Sequence, residues 1–277
     1  MSFKTILAPF LDRSTAQDAF ALAAHVAARF EGRVEALHVR AHAPGPGAAY
    51  PAFPYAYAPV DIEAADAASR AAAETMRETF DALTGAASTG AAAGWREVRG
   101  LYPDAYAARA RLADLTVFGR GGDAEGLLQE PVLEEVLFNS GRPVLVGAPR
   151  EALFDRIAVG WNGGREAARA VSCALPLLRE GGAVHVVSVG EIPDYRPGPE
   201  DACAYLAEHG VVAEPTTLST GDSAEVPEER FLRFAAQNDV SLIVVGAYSH
   251  SRFREVLLGG FTRHLLHRST VPVFLTH

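Results

Sequence analysis

Two stretches of this chain, 127 residues apart, repeat one arrangement: a short β-branched or aromatic run ends at a glycine and opens into a polar loop. The first is Val117-Phe118-Gly119-Arg120-Gly121-Gly122. The second is Val244-Val245-Gly246-Ala247-Tyr248-Ser249-His250-Ser251-Arg252, with Gly259-Gly260-Phe261-Thr262 following it. A strand that stops at glycine, then a loop, then a glycine pair opening a helix, turns backbone N–H groups toward an anion at the carboxyl end of the strand. Other landmarks recur in the same order. Ala113-Asp114-Leu115-Thr116-Val117-Phe118-Gly119 matches Asp239-Val240-Ser241-Leu242-Ile243-Val244-Val245-Gly246, and Arg142-Pro143-Val144-Leu145-Val146 matches Thr270-Val271-Pro272-Val273-Phe274-Leu275. The repeat is a duplicated domain and not a short-period solenoid.

Between the landmarks, strand-like runs alternate with Ala-rich helical stretches, which predicts parallel βαβ units. In the first half the pattern predicts strands at Lys4–Pro9, Val34–Val39, Trp95–Val98, Leu115–Phe118 and Pro143–Val146. Helices are predicted at Ser14–Phe30, with Ser14 as cap, and at Asp61–Leu83, Pro103–Leu112 and Pro131–Asn139. In the second half strands are predicted at Arg156–Val159, Ala183–Val189, Val212–Leu218, Ser241–Val245 and Val271–Leu275. The matching helices are Arg165–Leu178, Glu200–His209, Ala224–Asn238 and Gly260–His267. The join falls near Ala148–Asp155, giving domains at 1–148 and 155–277. One segment breaks the symmetry: Ala41–Pro59 carries five prolines among Tyr50, Phe53, Tyr55 and Tyr57, so it is expected as an irregular loop. It either covers a pocket or a dimer surface, or is a plain surface loop.

With 49% hydrophobic and 21% charged residues the chain reads as globular, and a net charge of −9 argues against a general nucleic-acid or membrane-surface binder. Lys4 is the only lysine, which excludes a P-loop lysine further along. Cys173 and Cys203 are the only cysteines and suit buried thiols in a reducing compartment. No apolar run approaches the ~18 residues of a membrane helix and no secretory leader is evident, so a soluble cytoplasmic protein is expected. His264 and His267 stand at helical i, i+3 spacing without a third ligand nearby, and read as a solvent-facing helix end. His38 and His185 read as core or rim histidines. No Gly-x-Ser-x-Gly, His-Glu-x-x-His or Gly-x-Gly-x-x-Gly occurs, so neither a catalytic nor a metal site is expected, and the protein is not read as an enzyme.

These residues resemble the universal stress protein family in its tandem, two-domain form, over essentially the whole chain. The resemblance implies two flavodoxin-like, doubly wound α/β domains, each a five-stranded parallel sheet in the order 3-2-1-4-5 with helices on both faces. ATP-binding members of that family carry Gly-x2-Gly-x9-Gly-Ser/Thr after the fourth strand and an Asp at the end of the first. In the second half Gly246 and Gly259 match two of the glycines, Ser249 stands at the other, and Gly260 replaces the Ser or Thr, with Thr262 two positions on. Asn162 replaces the Asp, in Gly160-Trp161-Asn162-Gly163-Gly164. In the first half Asp12 is suitably placed, but Val132 stands at the third glycine, and Asp123, Glu125 and Glu130 crowd the loop. No triphosphate site is expected there, because like charges repel.

Two functions follow from the resemblance. In the first, ATP or AMP occupies the second half of a stress-response or regulatory protein. Gly246, Ala247, Ser249, His250, Arg252, Gly259, Gly260, Phe261 and Thr262 surround the phosphates, and Gly160, Trp161, Asn162 and Val189 flank ribose and adenine. In the second, both sites have drifted and the fold is an interaction scaffold; Ser249, Gly260 and Asn162 favour this reading. A third reading places another small ligand in the same crevice. The halves are expected to pair through Val144–Val146 and Val271–Leu275 as an internal pseudo-dimer, with homo-oligomers also compatible.

Overall fold

Short apolar runs that alternate with amphipathic helices have one economical solution, a sheet buried on both faces. The computed structural model describes residues 2–41, 62–86, 91–120, 126–150, 153–219, 225–247 and 260–277. The first half runs β1 (Thr5–Pro9), α1 (Arg13–Phe30), β2 (Arg33–Ala41), α2 (Ile62–Ala86), β3 (Ala92–Gly100), α3 (Asp104–Ala110), β4 (Leu115–Phe118), α4 (Gly126–Asn139) and β5 (Val144–Val146). The second runs β6 (Arg156–Gly160), α5 (Arg165–Glu180), β7 (Ala183–Val189), α6 (Pro199–Glu208), β8 (Ala213–Leu218), α7 (Pro227–Gln237), β9 (Leu242–Gly246), α8 (Gly260–Arg268) and β10 (Val273–Thr276).

Each half has the expected order, β3-β2-β1-β4-β5 and β8-β7-β6-β9-β10, with parallel pairing inside the half. The halves do not keep separate sheets. β5 and β10 pair antiparallel, Val146 with Val273, Leu145 with Phe274 and Val144 with Leu275, so one ten-stranded sheet spans the molecule. Because that pairing is antiparallel, the strands of the two halves point their carboxyl ends to opposite edges of the sheet.

The side-chain period of two along the strands feeds two cores. Ile6, Val117, Leu145, Val159, Val244 and Phe274 face the layer of α1, α2, α5 and α6. Leu7, Phe118, Val144, Ile243, Val273 and Leu275 face the layer of α3, α4, α7 and α8. Both cores run across the β5–β10 seam. Phe3 packs edge-on to Phe274 with centroids 6.4 Å apart, Phe154 meets Phe30 and His25 of α1, and Arg29 pairs with Glu180 of α5. On the other face, His267 of α8 lies 3.3 Å from Glu130 of α4.

Several expected boundaries move. Asp12, not Ser14, caps α1: its carboxylate accepts from the Thr15 amide at 2.8 Å and from the Ser14 hydroxyl at 2.9 Å. Asp outcompetes Ser because its two oxygens serve several donors at once. α4 starts five residues before Pro131, and its upstream turn is tied down by the Gln129 amide, which donates to the Gly119 carbonyl at 2.7 Å. β3 extends well beyond Trp95–Val98, pairing with β2 over nine residues; it is an edge strand, and its exposed polar residues hid its length. The Pro- and Tyr-rich stretch lies outside the described residues, apart from Ala41, which ends β2.

One buried ion cluster holds this outer part of the first half. Glu35 on β2 receives two hydrogen bonds from Arg109 of α3, at 2.6 and 3.0 Å, and a contact from Arg96 of β3 at 3.1 Å. Burial pushes the Glu35 carboxyl up, but the bonds from Arg109 and Arg96 outweigh it and leave it below its ordinary value. A carboxyl that is more acidic folded than unfolded contributes stability above about pH 4.5, and that contribution fades as the pH falls further. Glu35→Gln should therefore be clearly less stable than the parent at pH 7, with the gap shrinking by pH 3.5, as read by urea denaturation. For the seam, Phe274→Ala should cost about 3–5 kcal/mol. It should lower a single cooperative transition reported equally by probes in both halves; separate transitions would show that the halves unfold independently.

Candidate functional site

In an open α/β sheet the natural ligand crevice lies where neighbouring strands send their helices to opposite faces. In the second half that point is between β6 and β9, since α5 covers one face and α8 belongs to the other. The corresponding point in the first half is between β1 and β4.

The wall from β6 is built by a tight turn. The Trp161 amide donates to the Val187 carbonyl at 2.8 Å, which extends the parallel ladder one residue past Gly160. The Asn162 side-chain carbonyl accepts from the Gly164 amide at 2.9 Å, closing an Asx turn. Between them Gly163 has φ +66°, a left-handed conformation that favours glycine. Gly164 then caps α5. Trp161 is 8% exposed, and its indole N–H donates to the Pro197 carbonyl in the segment after β7 at 2.9 Å. Val189 ends β7 half-buried.

The wall from β9 is set by a close approach. A Cβ on Gly246 would lie 2.3 Å from the Glu166 carbonyl carbon and 2.5 Å from the Ala167 nitrogen, so only glycine lets β9 end against the first turn of α5. The first half repeats this: a Cβ on Gly119 would lie 2.0 Å from the Thr15 carbonyl oxygen in α1. The Ala247 amide donates to the Thr276 carbonyl at 2.8 Å, and Ala247 is fully buried. Gly260 opens α8 at an exposed position, and the Glu228 carboxylate of α7 stands 3.8 Å from where its Cβ would be. Phe261 packs edge-on to Phe231 at 5.9 Å, and Thr262 is buried. Ser249, His250, Arg252 and Gly259 lie outside the described residues.

The structure thus brings Gly160 and the Asn162 turn beside the end of β9 at Gly246, while the Trp161 side chain is buried on the α5–α6 face of the sheet. Ala247 and Thr262 are turned to the interior. Sequence reasoning missed Glu166, which is buried in the first turn of α5 against Gly246. Burial pushes its carboxyl up, but hydrogen bonds from Arg165 and a backbone amide, together with the nearby His277, hold it below its ordinary value. The crevice wall therefore carries a paired carboxylate at neutral pH. The only sequence signal for it was an acidic residue in a first helical turn. Pro197 was also missed, because nothing in a Pro-Gly pair before a helix announces a bond to a distant indole.

The first-half crevice is internally satisfied. Asp12, at the end of β1, spends its carboxylate on the α1 cap, including a 2.6 Å bond from the Thr15 hydroxyl. Gln129 occupies the Gly119 carbonyl. Phe10, at the place of Trp161, is fully buried against Phe20, Phe80 and Trp95. The His38 Nδ1–H donates to the Phe10 carbonyl at 2.8 Å and the ring stacks on Trp95; burial pulls its pKa down.

The family model described as the universal stress protein family matches this chain twice, over residues 2–147 and 153–277. The chain belongs to the universal stress protein family. Among its relatives, a universal stress protein of Synechocystis is 24% identical over 176 residues, covering 58% of this chain. That match spans 56% of the relative's own length. In three dimensions the chain is similar to a universal stress protein from Archaeoglobus fulgidus, with a TM-score of 0.70 at 18% identity over 98% of this chain and 95% of the other. A Pseudomonas aeruginosa protein assigned to the same family gives a TM-score of 0.59 at 16% identity, over 99% and 93% of the two chains. The doubly wound fold is therefore that of tandem universal stress proteins.

The two glycines can be tested without any ligand. Gly246→Ala and Gly119→Ala should each destabilise the chain by about 1–3 kcal/mol, because backbone and not a flexible side chain blocks the new Cβ. Urea denaturation of nucleotide-free protein measures this; unchanged midpoints would show that these glycines are kept for ligand approach alone.

Proposed function

We propose that this universal stress protein binds an adenine nucleotide, ATP or AMP, in the crevice between β6 and β9, and acts by binding in a stress-response or regulatory role and not as an enzyme. The observation that carries this reading is the pairing of that crevice with the start of α8 at exposed Gly260. A helix start offers free N–H groups and a partial positive charge to phosphate. Gly160, Trp161 and Asn162 supply the opposite wall, where ribose and base would lie. The first half, with its capped Asp12 and plugged Gly119, is read as empty of triphosphate.

Glu166 and Glu228 favour a second reading. Two carboxylates at the wall and at the α8 start oppose a polyanion, and the Ala247 amide is already spent in the sheet. On that reading the molecule is an interaction scaffold. Both readings suit an internal pseudo-dimer, because β5 and β10 use each other's edges; any homo-oligomer must form elsewhere. Among the described residues no helix is long and apolar enough to cross a membrane, and a cytoplasmic setting is part of the proposal.

Nucleotide released from pure, denatured protein, together with calorimetric titration by ATP and by AMP, decides between them. The nucleotide reading expects one site per chain. No bound nucleotide and no heat at millimolar concentrations would leave the scaffold.

A further inference from the structure

The segment from Gly190 to Gly198, between β7 and α6, lies over the β6–α5 turn. Three contacts hold it there. The Trp161 indole N–H donates to the Pro197 carbonyl at 2.9 Å. A Cβ on Gly163 would sit 2.9 Å from that same carbonyl oxygen and 3.0 Å from Arg196 Cβ, so the segment touches the backbone of the turn directly. Ile192 Cγ2 completes the contact at 3.4 Å. The segment is stiffened from within, where the Arg196 amide donates to the Pro193 carbonyl at 2.8 Å.

The Gly190 amide donates to the Leu218 carbonyl at 2.8 Å. Gly190 has φ +81° at one end, and Gly198 caps α6 at the other, its amide held by Asp201 at 2.8 Å. A few element-terminal residues of this kind absorb the backbone change when a loop closes or opens. Beside the latch is a cavity of about 330 Å³ between α5 and α6, lined by Trp161, Ala168, Val171, Pro197, Ala202 and Tyr205. Tyr195 stands 81% exposed on the outer side of the segment, with the Arg196 guanidinium 5.6 Å from its ring centroid.

We propose that residues 190–198 are a strap, latched by Trp161 over the carboxyl ends of β6 and β7, which must lift before a ligand seats against Gly160–Gly163. This rests on the nucleotide reading of the β6–β9 crevice and adds its regulation. Holding the strap down reduces the fraction of molecules able to bind, and apparent affinity falls by that fraction. Loosening the strap therefore tightens binding.

The test combines amide hydrogen exchange with calorimetry on the full chain. In Asp201→Ala, which frees the Gly198 amide at the end of the strap without touching the proposed binding wall, exchange of the Glu191–Arg196 amides should rise about tenfold and ATP or AMP should bind about fivefold tighter, as loss of one net hydrogen bond implies. Ala168→Leu fills the cavity from an exposed position on α5 and should do the reverse, slowing exchange and weakening binding several-fold. Unchanged exchange in both variants overturns the latch. Faster exchange with unchanged or weaker binding overturns the gate while leaving the nucleotide reading intact. Changed exchange with no nucleotide bound by parent or variants overturns the nucleotide reading, and the gate with it.

Discussion

Three residue pairs in antiparallel register, β5 against β10, decide the shape of everything else. Parallel βαβ units leave the last strand of each half with an open edge, and such an edge needs a partner. The partner here is the same edge of the other half. The pairing joins two five-stranded sheets and makes one core continuous through Phe3, Phe154, Leu145 and Phe274, and the other through Val144, Val273 and Leu275. It also sends the carboxyl ends of the strands in the two halves to opposite edges. The remaining edges are β3 and β8. β8 carries Pro215, which offers no N–H, and β3 carries Arg96, Glu97 and Arg99, so neither invites another strand.

Joined in this way, the halves share a backbone plan but have diverged in what fills it. Gly119 and Gly246 are both demanded by a helix start that comes within van der Waals distance of the strand end. Their presence therefore does not distinguish the two halves. Side chains make that distinction. Asp12 and Gln129 satisfy the first crevice from inside, whereas Asn162 closes only its own turn and leaves the second crevice bounded by a paired carboxylate and an exposed helix start. Trp161 adds a further link, because its indole N–H reaches the Pro197 carbonyl in the segment after β7.

Much of the fold was legible before any coordinates. Leu115–Phe118 and Ala183–Val189 appear as expected, because buried strands of a parallel sheet are continuous β-branched or aromatic runs bounded by turns. Edge strands and helix starts were less legible. β3 hid behind exposed charge, and Asp12 took a cap that sequence alone assigned to Ser14, because both residues are good caps only two residues apart. The candidate site was partly legible through its glycines and Asn162. Glu166, Glu228, Gln129 and Pro197 were not: Gly246 meets the Glu166 backbone from 80 residues away, Gln129 reaches back ten residues to Gly119, and Pro197 accepts from Trp161 36 residues away, contacts that no local periodicity encodes.

What the sequence determined by itself was local periodicity and its duplication: strand, helix, strand, twice, with glycine where the fourth strand of each half ends. Those follow from the 2 and 3.6 residue periods and from steric limits on φ and ψ, which are properties of neighbouring residues. The tertiary structure alone decided that Gly246 faces the α5 backbone, that the Ala247 amide and Thr262 are turned inward, and that Pro197 reaches Trp161. Such facts depend on how packed layers bring distant segments within a few ångströms, and only burial and hydrogen bonding across the whole fold settle them.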